Sequence, residues 1–477
     1  MSDLGEECVD LLNGGTFRVA DPGPLHAPIQ RFTLKRDERL KLIFESEAPS
    51  DARATANSHP PGLVRLATEQ VRLVSVTGAE AQLEGVIPLK TNTHFDLGGA
   101  GQLKESAQVH QARLVPRDSS AARHTIEWLA NFPDAPFIWP DILRTTTLST
   151  TTRSVALDND GITISRSSEQ TSSGRSAAKL TIEGETLYLC SIGKREPKDP
   201  TRPGCIIYAG TPDDLFRKKV RVAVSFTLGA NLVELGHTTY DGEWRMVSAV
   251  ARSGYSPSHR AFDQPSQQLA PLGWKWQGEM GHNELTRMVA ALVSAYDTFD
   301  LGNLSWAYWH ACITPLHHAP AQFGAAIEAL QRAYAHAHRD QVRTTILPRD
   351  EWRKLRATLQ GAIAGAGISP ERTIELTKKL GSLNNRGQRS VMKAVLEAVG
   401  LRLGEQEGLA WERRDSAAHG APIAKGDELI AIHQMKLLRG LFHRMLLRMT
   451  DAAEFYIDYA SVDHPYRRLS EPPTDRG

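Results

Sequence analysis

The stretch FGAAIEALQRAYAHAHRDQVRTTIL (323–347) marks where the chain changes its period, and with it the fold class. From about Pro320 onward the apolar spacing is that of one face of an α-helix. RDEWRKLRATLQGAIAGAG (349–367) follows Pro348 and stops in glycines. SPERTIELTKKLGSL (369–383) opens with Ser369 as an N-cap and Pro370 at the first helical position. RGQRSVMKAVLEAVGL (386–401) ends at Gly404, and GEQEGLAWERRDSAAHG (404–420) stops at Gly420 and Pro422. A last helix, in two or more segments, runs from about Asp427 to about Tyr459. Six helices with short connections predict a helical bundle over 320–477.

Before that point the period is two. RFTLKRDERLKLIFES (31–46), LVRLATEQVRLVSVTG (63–78), KLTIEGETLYLCSIG (179–193) and VRVAVSFTLGANLVELGHTTYDG (220–242) alternate apolar and polar residues between turns. Alternation leaves one wet face, so antiparallel sheets are expected. The fold class is therefore α+β: a β-rich antiparallel N-terminal half followed by an all-α bundle. The polar run RTTTLSTTTRSVALDNDG (144–161) either divides two β lobes, 1–145 and 146–275, or is an exposed strand of one sandwich. The Ser-rich SSEQTSSG (167–174) reads as a loop, and SGYSPSHRAFDQPSQQLAPLG (253–273) as a long surface connection. An amphipathic helix from Asn283 to about Phe299 carries Leu285, Met288, Val289, Leu292, Val293 and Tyr296 on one side. It belongs to a helical adaptor over 276–319.

A formal net charge of +1 over 477 residues means that any nucleic-acid surface must be a local patch. Four cysteines, Cys8, Cys190, Cys205 and Cys312, lack C-x-x-C spacing, which argues against a zinc site or a disulfide scaffold and fits a reducing cytosol. The N-terminal residues lack the apolar core of a signal peptide, and no apolar run reaches membrane-spanning length, so a cytoplasmic location is expected.

Near the end of the second-last major helix stands Arg413-Arg414-Asp415-Ser416-Ala417-Ala418-His419-Gly420. A histidine near neutral pKa moves protons, and a guanidinium holds a phosphate and stabilises the charge that builds on it. Arg-x(4–6)-His alone is weak: Arg53/His59, Arg117/His124, Arg252/His259 and Arg332/His338 also satisfy it. Arg414/His419 differs in having a polar Asp415 after the arginine and a helix stop after the histidine. A helix C-terminus favours protonated imidazole. Residues five apart on a helix point about 140° apart. Two copies of the motif paired across a two-fold axis would bring the groups together, so a homodimer with a composite site is expected. The competing reading is a solvated Arg414 paired with Glu412 or Glu407, and a His419 that caps the helix.

This segment resembles the signature of the HEPN superfamily. The preceding LGSLNNRGQRSVMKAVLEAVGL (380–401) resembles the ApeA-type HEPN domain of bacterial defence proteins. The β-rich half resembles the ApeA N-terminal domain in architecture, and more weakly in its opening Gly14-Gly15-Thr16-Phe17. The resemblance implies a metal- and cofactor-independent endoribonuclease that aborts phage infection by cutting RNA, often tRNA. It implies catalytic roles for Arg414, Asp415 and His419. Asn is frequent in the family where this chain has Asp415. The β-rich half would sense a phage-derived trigger. A non-catalytic HEPN adaptor, or a binding sandwich on a dimerising bundle, are the alternatives.

Further candidates for RNA contact are Arg413, Asn385 and Arg386, and a basic face of the last helix with Lys436, Arg439, His443, Arg444 and Arg448. A solvated face and a plain turn are the competing readings. His317 and His318 read as a turn, with no Cys, Asp or Glu nearby to complete a metal site.

Overall fold

Alternation builds the sheets of the N-terminal half. Leu42–Pro49 alternates buried and half-buried residues along its length, so Leu42, Phe44, Ser46 and Ala48 share an inner face. The computed structural model describes residues 7–54, 69–95, 101–115, 121–133, 141–157, 160–192, 203–254, 270–273, 280–418, 420 and 423–473. They fall into two units: one reaches to Thr286, and the other runs from Arg287 to the C-terminus and takes in Pro271–Gly273. In the N-terminal unit eleven strands form one antiparallel sheet. Their spatial order is Phe17–Asp21, Gln70–Ser75, Glu80–Glu84, Gln111–Val115, Met246–Arg252, Glu234–Tyr240, His124–Leu129, Gly204–Tyr208, Glu185–Ser191, Asp160–Ile182 and Asp141–Leu157. A second antiparallel sheet joins Arg31–Arg36, Leu42–Pro49, Gly101–Val109 and Ile87–Phe95. Helix α1 (Glu7–Asn13) drives Cys8, Val9 and Leu12 into a core that both sheets supply, with Leu73 and Leu83 from one and Phe44 and Val109 from the other.

Two local expectations fail here. VRVAVSFTL (220–228) is helical, not a strand: α2 spans Asp214–Leu228. Asp213 accepts a hydrogen bond from the Phe216 N–H, and Gly229 ends the helix in a left-handed conformation (φ 68°). A short apolar run fits either period, and here the caps decide. SSEQTSSG is strand, since Asp160–Ile182 pairs along the whole of Asp141–Leu157. Side-chain hydroxyls bond across the pair at Ser149–Ser168 and Thr150–Ser167, which gives these polar residues a reason to be in a ladder. The boundary placed near residue 145 falls inside Asp141–Leu157, a strand of the shared sheet.

Charges line the sheet beside α2. Buried Glu127 accepts from Tyr208 Oη at 3.0 Å and from Arg221, which also reaches Glu234 at 3.0 Å. Arg252 meets Glu234 at 2.7 Å, and Arg217 Nη2 lies 3.3 Å from His237 Nε2. Burial, followed by the charges of Arg217 and Arg252, pushes the His237 imidazole down to about 4.

Helix α3 spans His282–Ser294 and buries Leu285, Met288, Val289, Leu292 and Val293, the expected face. The C-terminal unit holds α4 (Leu301–Ile313), α5 (Ala319–Ala337), α6 (Arg349–Ala364), α7 (Pro370–Leu380), α8 (Gln388–Ala398), α9 (Glu405–Ala418) and α10 (Glu428–Met449). The last six match the six expected in order, and Ser369 caps α7 as expected. α4, assigned to an adaptor, joins the bundle core: Tyr308 stacks on Phe442 of α10 with ring centroids 4.7 Å apart and meets Phe323 of α5 edge-on. The final helix stops at Met449 rather than near Tyr459. Asp451 turns the chain with φ 53°, and Phe455–Ile457 then pairs with Tyr466–Arg468 as a hairpin. No helix among the described residues is long and apolar enough to cross a membrane.

α6 and α7 form an arm with a closed neck. α6 has no buried residue and α7 has only Leu380. At the neck, Ile346 N–H donates to Asn384 O (2.8 Å) and Arg386 N–H to Thr344 O (2.9 Å). The Asn384 side chain accepts from Leu347 N–H (2.7 Å) and donates to Leu347 O (3.1 Å). Deeper in the unit, fully buried Arg444 of α10 donates to both carboxylate oxygens of Glu407 at 2.7 Å. It also donates to the carbonyls of Arg402 and Leu469.

Two outcomes follow from these networks. The unfolded His237 takes its proton near pH 6.5 and the folded one only near 4. Stability is therefore fully present above about 6.5 and falls as pH drops through that window, by roughly 3 kcal/mol. Denaturant titrations from pH 7 to pH 4 should show a shallower loss in His237→Gln than in the natural chain. Glu407→Gln should lower unfolding stability by about 3–5 kcal/mol, because it leaves Arg444 buried without its counter-charge.

Candidate functional site

Glu407, Trp411 and Arg414 lie four and seven residues along α9, within about two helical turns, and so share one face. All three are buried. Arg414 is 8% exposed, far from the solvated residue of the competing reading. Of the two acids weighed as its partner, Glu412 pairs with Arg389 at 2.8 Å and Glu407 with Arg444. Arg414 pairs with Glu328 of α5, whose Oε1 lies 2.8 Å from Nη2. Nη1 donates to Trp411 O at 2.7 Å, and the guanidinium carbon sits 3.5 Å above the centre of the Trp411 ring.

The slot needs Gly324. One turn before Glu328 on α5, a Cβ at this position would come within 2.5 Å of Arg414 Cδ. Only a residue without a side chain lets the arginine lie against α5. The result is a guanidinium fixed in direction by a carboxylate, a carbonyl and an indole face, a form of preorganisation that suits charge stabilisation. Glu328 holds one end of the fork that a bidentate oxyanion would take.

The other sequence-predicted residues are scattered. Arg413 is exposed on α9. The backbone of Asp415 is in α9, while its side chain and the whole of His419 lie outside the described residues. Gly420 has φ 75°, as a helix stop requires. Asn385 and Arg386 belong to the neck of the α6–α7 arm, where Asn385 bridges Thr345. His317 and His318 occupy the turn before α5.

The basic face expected on α10 is largely covered. Lys436 is half-buried, Arg439 is 8% exposed, and His443 and Arg444 are fully buried, while Arg448 is exposed. Leu437–Leu447 is buried throughout, which encloses Arg439, His443 and Arg444. His443 Nε2 meets Tyr308 Oη at 2.7 Å, and burial together with the Arg439 charge holds the imidazole well below its ordinary pKa, hence neutral. Sequence reasoning missed Glu328, Gly324 and the role of Trp411. A Gly four residues before a Glu on an otherwise covered helix face was the available signal.

Gly324→Val should force Arg414 out of the slot and break the Glu328 contact, lowering stability by about 1–3 kcal/mol. Thermal melts checked against Gly324→Ser test this, with the smaller side chain expected to lose less. No protein-family model matches this chain, and no curated protein matches it.

Proposed function

We propose that this chain is a metal-independent endoribonuclease of the HEPN type that cuts RNA, tRNA being one candidate, in abortive infection against phage. The observation that carries the reading is the buried, oriented guanidinium of Arg414 near the end of α9, five residues before His419. In this reading the ribose 2′-hydroxyl attacks the adjacent phosphorus. The new O2′–P bond forms and the P–O5′ bond breaks, leaving a 2′,3′-cyclic phosphate and a 5′-hydroxyl end. His419 moves the protons, from the 2′-oxygen and to the leaving 5′-oxygen, and Arg414 stabilises the charge on the phosphorane. Asp415 orients one of them. The substrate supplies its own nucleophile, so the step requires neither metal nor cofactor.

Residues five apart on an ideal helix would point about 140° apart, so in this reading two copies of the chain build a composite site from Arg414 and His419. The β-rich half restrains the nuclease and releases it on meeting a phage-derived trigger, in the cytoplasm of the host. A second reading, a non-catalytic HEPN adaptor that binds RNA or nucleotide, is favoured by one fact: an ion pair to Glu328 and a stack on Trp411 also suit an arginine that serves only to dock α9 on α5.

Purified protein incubated with total bacterial RNA in EDTA separates the two, with phage lysate added in a parallel arm. The nuclease reading expects cyclic phosphate ends from the natural chain, and a loss of about 100-fold or more in folded Arg414→Ala and His419→Ala. RNA binding without cleavage in both arms, unchanged by His419→Ala, would establish the adaptor.

A further inference from the structure

Two arginines five residues apart on α10 are treated in opposite ways. Arg444 is fully buried and all of its donors are answered by Glu407, Leu469 O and Arg402 O. Arg439 is also buried, at 8% exposure, yet it has no hydrogen bond and no ion pair among the described residues. Its Nε is buried without an acceptor. The neighbour it does have is the Tyr459 ring, with the guanidinium carbon 5.6 Å from the centroid. A desolvated guanidinium with no acceptor is costly, and this unit shows at Arg444 that it can satisfy one.

The surroundings of Arg439 carry further positive or donor groups, with Asp458 and Asp463 as the nearby acids. Lys436, one turn earlier on α10, is half-buried. His464 is half-buried and stands edge-on to Tyr459 with ring centroids 5.3 Å apart. Burial and the charges of Lys436 and Arg439 lower the His464 pKa, against the opposing charges of Asp458 and Asp463. His464 is presented by a turn in which Asp463 and His464 both take left-handed conformations, with φ 62° and 45°. Of the nearby carboxylates, Asp458 is committed to Arg467 at 2.9 Å and to Ser461, and Asp463 is exposed on the turn. Tyr308 and the neutral His443, 2.7 Å apart, also feel the Arg439 charge.

We propose that Arg439, Lys436 and His464 form a phosphate-binding site between α10 and the turn that follows Tyr459. A planar fork, a point-charge ammonium and an imidazole suit a tetrahedral oxyanion. The phosphate belongs either to a free nucleotide or inorganic phosphate, or to an RNA backbone. The site stands apart from the Arg414 motif and does not depend on cleavage.

The test is calorimetric titration of the full chain with inorganic phosphate and, in a separate arm, with a single-stranded RNA oligonucleotide. Arg439→Met, which keeps length and removes charge, should weaken binding by about ten-fold or more in whichever arm binds. Lys436→Gln and His464→Gln, both at half-buried positions, should weaken it by smaller factors and guard against misfolding of the Met variant. Phosphate binding that depends on Arg439 assigns the site to the free oxyanion. Binding of RNA alone, with the same dependence, assigns it to the backbone. Without phosphate, Arg439→Met should melt above the natural chain, and with saturating phosphate below it. Absence of binding in both arms, or affinity that ignores all three substitutions, overturns the proposal.

Discussion

The C-terminal unit hangs on the pair between Arg444 and Glu407. One fully buried guanidinium answers a fully buried carboxylate and at the same time holds the carbonyls of Arg402, just before α9, and Leu469, just after the terminal hairpin. Glu407 also accepts the backbone N–H of Gly404, the reach-back contact that caps a helix at its third residue. A single ionic centre thus fixes where α9 starts, how it rotates, and where the chain must return after α10. Apolar packing alone would leave α9 free to slide or turn, since Leu and Ala contacts are tolerant of small shifts. A buried ion pair is not tolerant, because any displacement exposes two desolvated charges.

That fixed rotation is what gives Arg414 its place. Seven residues after Glu407, it must emerge on the same face, and it meets α5 instead of α10. α9 therefore gives a carboxylate to one neighbour and a guanidinium to the other. Gly324 lets the second contact close, and Trp411 fills the turn between them. Under the proposed nuclease reading, an arginine held this firmly would lose little freedom on engaging a phosphate. Its bond to Glu328 would have to be shared or exchanged for the phosphate to gain the fork. The carboxylate that positions the guanidinium would then also compete for it.

Much of the fold was readable because helices announce their ends. Ser369-Pro370, the Gly365–Gly367 stop after α6 and Gly420 after α9 locate boundaries independently of burial. The same class of signal was present at α2, with Asp213 before it and Gly229 after it. There the run of Val at 220, 222 and 224 masked it by imitating strand alternation. The candidate site was half readable. The Arg414 position follows from the motif, but Glu328 lies 86 residues away in the chain, and no local spacing points to it. The exposed face expected on α10 is largely covered for a different reason. Periodicity says which residues are apolar, and it cannot say that the stretch Leu437–Leu447 is buried throughout, charges included.

The buried arginines of this unit differ in what answers them. Arg444 is answered by the chain's own carboxylate and carbonyls, and Arg414 by a carboxylate at its edge. Arg439 has no acid of its own among the described residues. Arg444 sits at the ionic centre with Glu407, and Arg439 lies beside Tyr459 of the segment that follows α10. At the centre, a charge has to be neutralised within the chain for the helices to assemble at all. Farther out, a fold already fixed by that centre can carry a cation whose acceptor comes from elsewhere, because the cost is spread over a framework that is stable without it.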